Sequence, residues 1–414
     1  MSDTLRTAPR PAHVPDAAVF DFDMFLDPAL LKDPHERVRQ LLRDAPPVFW
    51  TPHNGGHWIT LRFEDIYRVM REPESFSSAP LSPEQQQAMA ARMPPGMPRI
   101  PQVTPILLDP PAHTRYRAPL QKAFSPATVM ALKGEIDALS AQLVDDVVAD
   151  GSCDIIAAVA EQLPVRVFLK MMGLPVERLA EFRLLVRAFL KPRDPDPMDQ
   201  ARRMLGIANA MKGEILARRD DPRDDLISAL WKIEVDGQPM NLDLMEDYAC
   251  LLFIAGLDTV INGIGYGIRH LASNPALQAE LRDNPKLIPE AAEEILRRYS
   301  FVVPQRRVAR DTELGGQTLK TGDTVALYLA GAGLDRAAFP APEQFDLERE
   351  NKAHIAFGAG PHRCIGSHLA RIELHAVYAV VLEKLPTFRL DPEKPARFHA
   401  GNILAMASLP IRWD

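Results

Sequence analysis

From residue 112 onward, apolar side chains recur at every third or fourth position through most of the chain. That is the period of a helix with one buried face, and it predicts helices over 112–124, 127–149, 163–172, 176–190, 196–218 and 224–233. The run 242–273 is apolar on nearly every face, which predicts a helix buried all round. Two more helices are predicted over 289–299 and 365–385, the first with a proline near its start, where its missing N–H is harmless. Before residue 112 the pattern is mixed. Positions 34–44 and 63–71 read as helices and 57–61 as a short strand. The stretch 79–105 is dense in Pro, Met and Gln, and predicts an irregular flap with at most a short helix at 84–92. In 306–330, Thr, Val and Leu alternate around two glycine turns, which predicts a small antiparallel sheet. A loop at 340–357 and an irregular or hairpin-like tail at 398–412 complete the picture. The expected fold is mainly α with a small β component. Residues 1–25 read as an extended, poorly ordered lead, and 26–414 as one domain.

Composition narrows the function classes. A net charge of −7 over 414 residues argues against a general nucleic-acid binder. The three cysteines, Cys153, Cys250 and Cys364, are too few and too scattered for a disulfide framework or a zinc site, so a reducing cytoplasm is expected. No run approaches the ~20 consecutive apolar residues of a membrane span, and the first twenty residues lack a signal-type apolar core. A soluble, membrane-free protein is expected.

The densest chemistry lies in Phe357-Gly358-Ala359-Gly360-Pro361-His362-Arg363-Cys364-Ile365-Gly366. A thiolate iron ligand needs a tight loop, N–H groups aimed at sulfur, and a bare approach for a flat ring. Gly358 and Gly360 give the loop its freedom. Cys364 stands at the mouth of a predicted helix, where free N–H groups favour negative charge. Gly366 removes a side chain, and Phe357 can shield the sulfur. By itself, a lone cysteine beside a glycine turn is more often an inert core residue. Three glycines and a histidine at these offsets outweigh that reading.

The stretch resembles the haem-binding loop of the cytochrome P450 family, Phe-Gly-x-Gly-x-His-x-Cys-x-Gly, and the likeness runs from about Phe22 to Asp414. It is nearest to the bacterial camphor-hydroxylase group. The resemblance implies a P450 fold, haem b as cofactor, and Cys364 as axial ligand, donating density that favours O–O cleavage.

Ala255-Gly256-Leu257-Asp258-Thr259 interrupts the most apolar predicted helix with a carboxylate and a hydroxyl. Such groups are costly there unless hydrogen-bonded, and Thr can bend a helix by bonding four residues back. The resemblance implies an acid–alcohol pair, Asp258 and Thr259, that delivers protons to dioxygen, with Gly256 leaving room for the cofactor. It also suggests that Lys191 pairs with Asp258. By the same likeness His113, Arg117, Arg306 and His362 would clamp the haem propionates. Pro304 stands where some camphor-type members carry Asp, which removes one hydrogen bond from that region. Glu294 and Arg297, one helical turn apart, would meet Arg349 as a structural trio behind the cysteine loop. Leu251, Ile254, Val302 and Ile403 fall at pocket positions, and all are apolar.

Camphor-type relatives orient substrate with a flap tyrosine. This chain has none between Tyr67 and Tyr116, and the matching place is near Pro101. A flap rich in Met89, Met93 and Met97 is soft and adaptable. Both features argue against camphor and for another compact apolar substrate, such as a terpenoid or a norisoprenoid ketone like an ionone. With no flavin or ferredoxin module in the chain, the likeness implies O₂ and electrons from an iron–sulfur ferredoxin and its NADH-dependent reductase. Arg115 and Arg363 would meet that ferredoxin. Two other readings stay open: a peroxygenase using H₂O₂, which the Asp258–Thr259 pair argues against, and a non-catalytic haem sensor or carrier.

Overall fold

The computed structural model describes residues 7–91, 98–190 and 198–414. It is 52% helical and 13% strand, as the periodicity predicts. Helix starts follow local chemistry. Asp33 caps Pro34–Asp44 by accepting the Glu36 N–H, Asp225 caps Leu226–Trp231 through Ser228, and Asn241 caps Leu242–Leu257 through Leu244.

The Leu242–Leu257 and Thr259–Ala272 helices form the spine of the core. The apolar run therefore does not make one continuous helix but breaks at Asp258. Phe253, Leu257, Ile264, Ile268 and Leu271 on this spine are fully buried. By length and composition Leu242–Ala272 could cross a membrane, contrary to the expectation that no such run exists. It is a core element, with 72% of its most apolar window buried. The last long helix, Ser367–Lys384, packs beside Lys133–Val148 and Thr259–Ala272.

The β component has one five-stranded sheet, in the order Val48–Thr51, His57–Thr60, Thr324–Leu327, Gln305–Val308, Phe76–Ser77. Here the reading of 306–330 as one antiparallel sheet needs correction. Thr324–Leu327 runs antiparallel to Gln305–Val308 but parallel to His57–Thr60. Thr312–Leu314 and Gln317–Leu319 form a separate hairpin. Sequence alternation reports a pleated, half-buried strand and not which neighbour it meets. The tail is more regular than read. Arg397–His399 pairs with Ala405–Ser408, and Pro410–Trp413 joins Phe388–Leu390 and Ser152–Asp154.

The segment 7–25 is extended but not loose. Thr7 bridges His53 and Val19 bridges Trp50, while Val14, Phe22 and Met24 are buried. The apolar positions of this short segment have no period of their own. They fit a surface built by Trp50, Phe49 and Asp323, far along the chain.

Candidate active site

The cysteine loop folds as its glycines require. Gly358 and Gly360 have φ of +74° and +65°, a region that L side chains rarely adopt. A Cβ on Gly360 would also collide with the Met70 carbonyl. The loop closes through Cys364 N–H to the Phe357 carbonyl at 2.8 Å and Gly358 N–H to the Ile355 carbonyl at 2.8 Å. Gly366 sits just before the Ser367–Lys384 helix, and its N–H points at the Cys364 sulfur. Enclosure by the protein pushes the thiol up. The Gly366 N–H and the guanidiniums of Arg117, Arg371 and Arg363 pull against that rise. Phe357 is half-buried beside the loop, with the Arg371 guanidinium 4.5 Å over its ring. All three cysteines are free thiols.

Cys364 opens into a cavity of about 550 Å³, lined among others by His113, Arg117, Phe124, Gly360 and Ile365. The Ala112–Ala123 helix carries His113 and Arg117 one turn apart into this space. The His113 ring lies 4.1 Å from that of His362. His362 Nε2 in turn lies 2.9 Å from Ser78 Oγ. Burial, with the nearby charges of Arg117 and Arg306, lowers His113 to about 4. Burial, with Arg306, His113 and Arg117, lowers His362 to about 3. Both rings are therefore neutral near pH 7, between two guanidiniums. Arg306 is half-buried on the Gln305–Val308 strand. The four predicted clamp residues thus form one cationic cluster.

That cluster is incomplete as protein alone. Both ring nitrogens of His113 are buried without a hydrogen-bond partner among the described residues, a situation that buried polar atoms rarely tolerate. Two guanidiniums and an orphaned imidazole suit a ligand with two carboxylates, and the nearby thiol suits a soft metal centre. Haem b, with its iron and two propionates, fits this donor set.

On the spine, Asp258 is 8% exposed, and its Oδ2 has no hydrogen-bond partner among the described residues. Burial and the neighbouring charge of Glu161 raise its carboxyl to about 6. Thr259 Oγ1 donates to the Ala255 carbonyl at 3.2 Å, one turn back, so the expected back-bonded threonine is present at the helix break. The break is held by Asn262, whose Nδ2 donates to the Asp258 carbonyl at 2.9 Å. Ala255 is the exposed member of the small pair. At Gly256 a Cβ would meet only Phe168 at 3.6 Å. The missing side chain of Gly256 thus leaves open space beyond a single ordinary contact with the Leu163–Met171 helix.

The trio Glu294, Arg297 and Arg349 is assembled and buried, with 5%, 1% and 6% exposure. Arg297 donates to both Glu294 oxygens, at 2.7 and 2.8 Å, and Arg349 NH2 donates to Oε1 at 3.1 Å. The remaining donors reach loop carbonyls: Arg297 those of Gly333 and Pro342, Arg349 those of Pro340 and Gln344. One carboxylate thereby fixes the loop that leads to Phe357.

Leu251, Ile254, Val302 and Ile403 are half-buried against the main core, and Val302 pairs with Ile403 in an antiparallel bridge. Lys191, the expected partner of Asp258, lies outside the described residues. Arg363 is exposed. Arg115 is exposed and forms a 2.7 Å ion pair with Asp236 on the Glu234–Pro239 hairpin tip. Three features escaped the sequence: Glu161 beside Asp258, the Asn262 clamp and the Ser78 contact to His362. Of these only Asn262, a polar residue four positions after Asp258 in an apolar run, left a signal.

The cytochrome P450 sequence model matches residues 198–413. A probable cytochrome P450 127A1 from Sinorhizobium fredii is 32% identical, covering 99% of this chain and 98% of its own. Linalool 8-monooxygenase from Pseudomonas putida is 30% identical over 91% of this chain and 95% of its own. The crystal structure of cytochrome P450 CYP101C1 superposes with a TM-score of 0.87 at 33% identity, over 98% of this chain and 100% of that one. The structure of CYP101J2 gives 0.86 at the same identity and the same coverage. The thiol loop, the cationic cluster and these likenesses over the chain's whole length agree: the chain belongs to the cytochrome P450 family of haem b monooxygenases.

Proposed function

We propose that this chain hydroxylates a compact apolar molecule, a terpenoid or norisoprenoid ketone, using O₂ and two electrons from an iron–sulfur ferredoxin served by an NADH-dependent reductase. The observation that carries the reading is the pairing of a thiol held by the Gly366 N–H with a buried carboxyl and hydroxyl at a helix break. When bound, haem supplies the oxygen activation, and a thiolate ligand favours O–O cleavage.

The protein's part is to hold, shield and supply protons. Cys364 would hold the iron, with the Gly366 N–H and nearby guanidiniums stabilising its negative sulfur. His113, Arg117, Arg306 and His362 would take the propionates, which would give the His113 nitrogens partners. Asp258, raised to about 6, passes between its two protonation states near neutral pH. Asp258 would gate proton entry through Oδ2, and Thr259 stands at the same helix break with its hydroxyl hydrogen resting on the Ala255 carbonyl. Leu251, Ile254, Val302 and Ile403 supply an apolar wall without a polar handle, which suits a molecule held by shape. Pro101, at the place of the camphor-directing tyrosine, is buried and offers no hydroxyl. The linalool specificity of one relative supports the terpenoid class. Asp258 and Thr259 also favour a monooxygenase over a peroxygenase or a sensor, neither of which needs a proton relay.

Titration of the haem protein with linalool, β-ionone and camphor, followed at the Soret band, tests the substrate class. Turnover with ferredoxin, reductase and NADH then identifies the product. A spin-state shift and a hydroxylated product with linalool or ionone support the proposal. Turnover of camphor alone, or of none of the three, contradicts it.

A further inference from the structure

Asp247 takes no part in the chemistry above, yet its buried carboxylate collects donors from a single segment of the flap. It is 4% exposed. Oδ1 accepts Arg99 NH2 at 2.7 Å and the Gln102 backbone N–H at 2.8 Å. Oδ2 accepts Thr104 Oγ1 at 3.1 Å. Arg99 extends along the same helix, donating NH1 to the Asp243 carbonyl at 3.2 Å. Pro101 is buried between these anchors, and Ile100 and Val103 pack against the core. The flap at 99–104 is thus strapped onto the Leu242–Leu257 helix.

The place of attachment gives the strap its meaning. Leu251, Ile254 and Asp258 follow Asp247 by four, seven and eleven positions, so all four share one helical stripe. At 1.5 Å per residue, Asp247 lies about 16 Å along the helix from Asp258. The proton-handling pair occupies one end of the stripe, the apolar pocket positions the middle, and the strap's anchor the other end. A buried carboxylate is costly without partners, and among the described residues every hydrogen-bond donor to Asp247 comes from the strap. Opening the strap would leave Asp247 with none of these bonds, so the closed arrangement is self-enforcing.

We propose that Asp247 is a positioning residue that latches 99–104 across the outer end of this stripe and thereby sets the size of molecule that reaches the pocket. Small molecules pass with the strap closed. Bulky ones must wait for all three hydrogen bonds to break, including the strong charge-assisted one from Arg99. The assignment holds whichever substrate the enzyme uses.

The test compares the haem protein with its Asp247→Ala, Asp247→Asn and Arg99→Gln variants. Stopped-flow binding of imidazole and of 4-phenylimidazole, a small and a bulky iron ligand, is read at the Soret band. Hydrogen exchange at the Gln102 amide reports the strap itself. The expected result is a tenfold or greater rise in the 4-phenylimidazole association rate in Asp247→Ala, with imidazole changed less than twofold. Arg99→Gln, at an exposed side chain, should move in the same direction by less, and Gln102 exchange should quicken in both. Faster Gln102 exchange with an unchanged ratio of the two association rates would overturn the gating role. Loss of haem from both Asp247 variants, with wild-type rates in Arg99→Gln, would make Asp247 a folding residue only and would also overturn it.

Discussion

Asn262 bridges the break in the central helix to the C-terminal sheet: its Nδ2 donates to the Asp258 carbonyl at 2.9 Å, and its Oδ1 accepts the Met406 N–H at 2.7 Å. Asn262 is 1% exposed, so Asn262→Leu leaves the Met406 N–H unpaired, while the Asp258 carbonyl keeps its intrahelical backbone bond as N-cap of Thr259–Ala272. An unpaired buried group costs about 1–3 kcal/mol, which is the loss expected in urea denaturation. A loss below about 0.5 kcal/mol would mean that the break holds itself.

Asp258 makes a pH prediction. Its folded carboxyl titrates at about 6, above its ordinary 3.8. A raised carboxyl costs the fold nothing while protonated in both states. The cost grows as pH rises through 3.8 and levels off above 6. Asp258→Asn removes that cost, so it should stabilise the protein by up to about 3 kcal/mol at pH 8, and by about half as much at pH 5. Product formation should fall about a hundredfold, the scale of a lost proton donor. Denaturation at the two pH values, with product assays alongside, checks both parts.

Glu294 stands between two buried arginines, and losing Arg349 keeps the Arg297 pair but takes the donors from the Pro340 and Gln344 carbonyls. Arg349→Met is expected to destabilise the fold by about 1–3 kcal/mol, the cost of leaving such a group unpaired, and to yield protein with little haem. Haem content per chain and a denaturation curve measure this. Full haem occupancy would separate the trio from the cysteine loop.

Electron entry separates two arginines that the sequence grouped together. Arg363 is exposed next to Cys364, whereas Arg115 is already paired with Asp236. Arg363→Glu should slow reduction of the haem protein by the proposed ferredoxin about tenfold at low ionic strength, with the difference shrinking in salt. Arg115→Glu should have the smaller effect. Equal effects would show that the Asp236 pair does not screen Arg115.

What the sequence revealed follows from the range of the forces involved. The Cys364 loop was legible because its glycines answer a local backbone demand, here φ of +74° and +65°. The Glu294–Arg297 pair was legible because one helical turn joins it. Arg349 was placed only by family likeness, since its partner lies 55 positions away. The Asp247 strap, which spans 143 to 148 positions, and the Ser78–His362 contact, which spans 284, left no periodic trace. The anchoring of 7–25 left no periodic trace either, because its contacts are with Trp50, His53 and Asp323.

The most direct test of the account is the absorption spectrum of the dithionite-reduced protein under carbon monoxide, with and without Cys364→Ala. Thiolate ligation at Cys364 predicts a Soret band shifted far to the red in the native chain and absent from the variant. A red-shifted band that survives in Cys364→Ala, or an ordinary Soret position in the native protein, would contradict it.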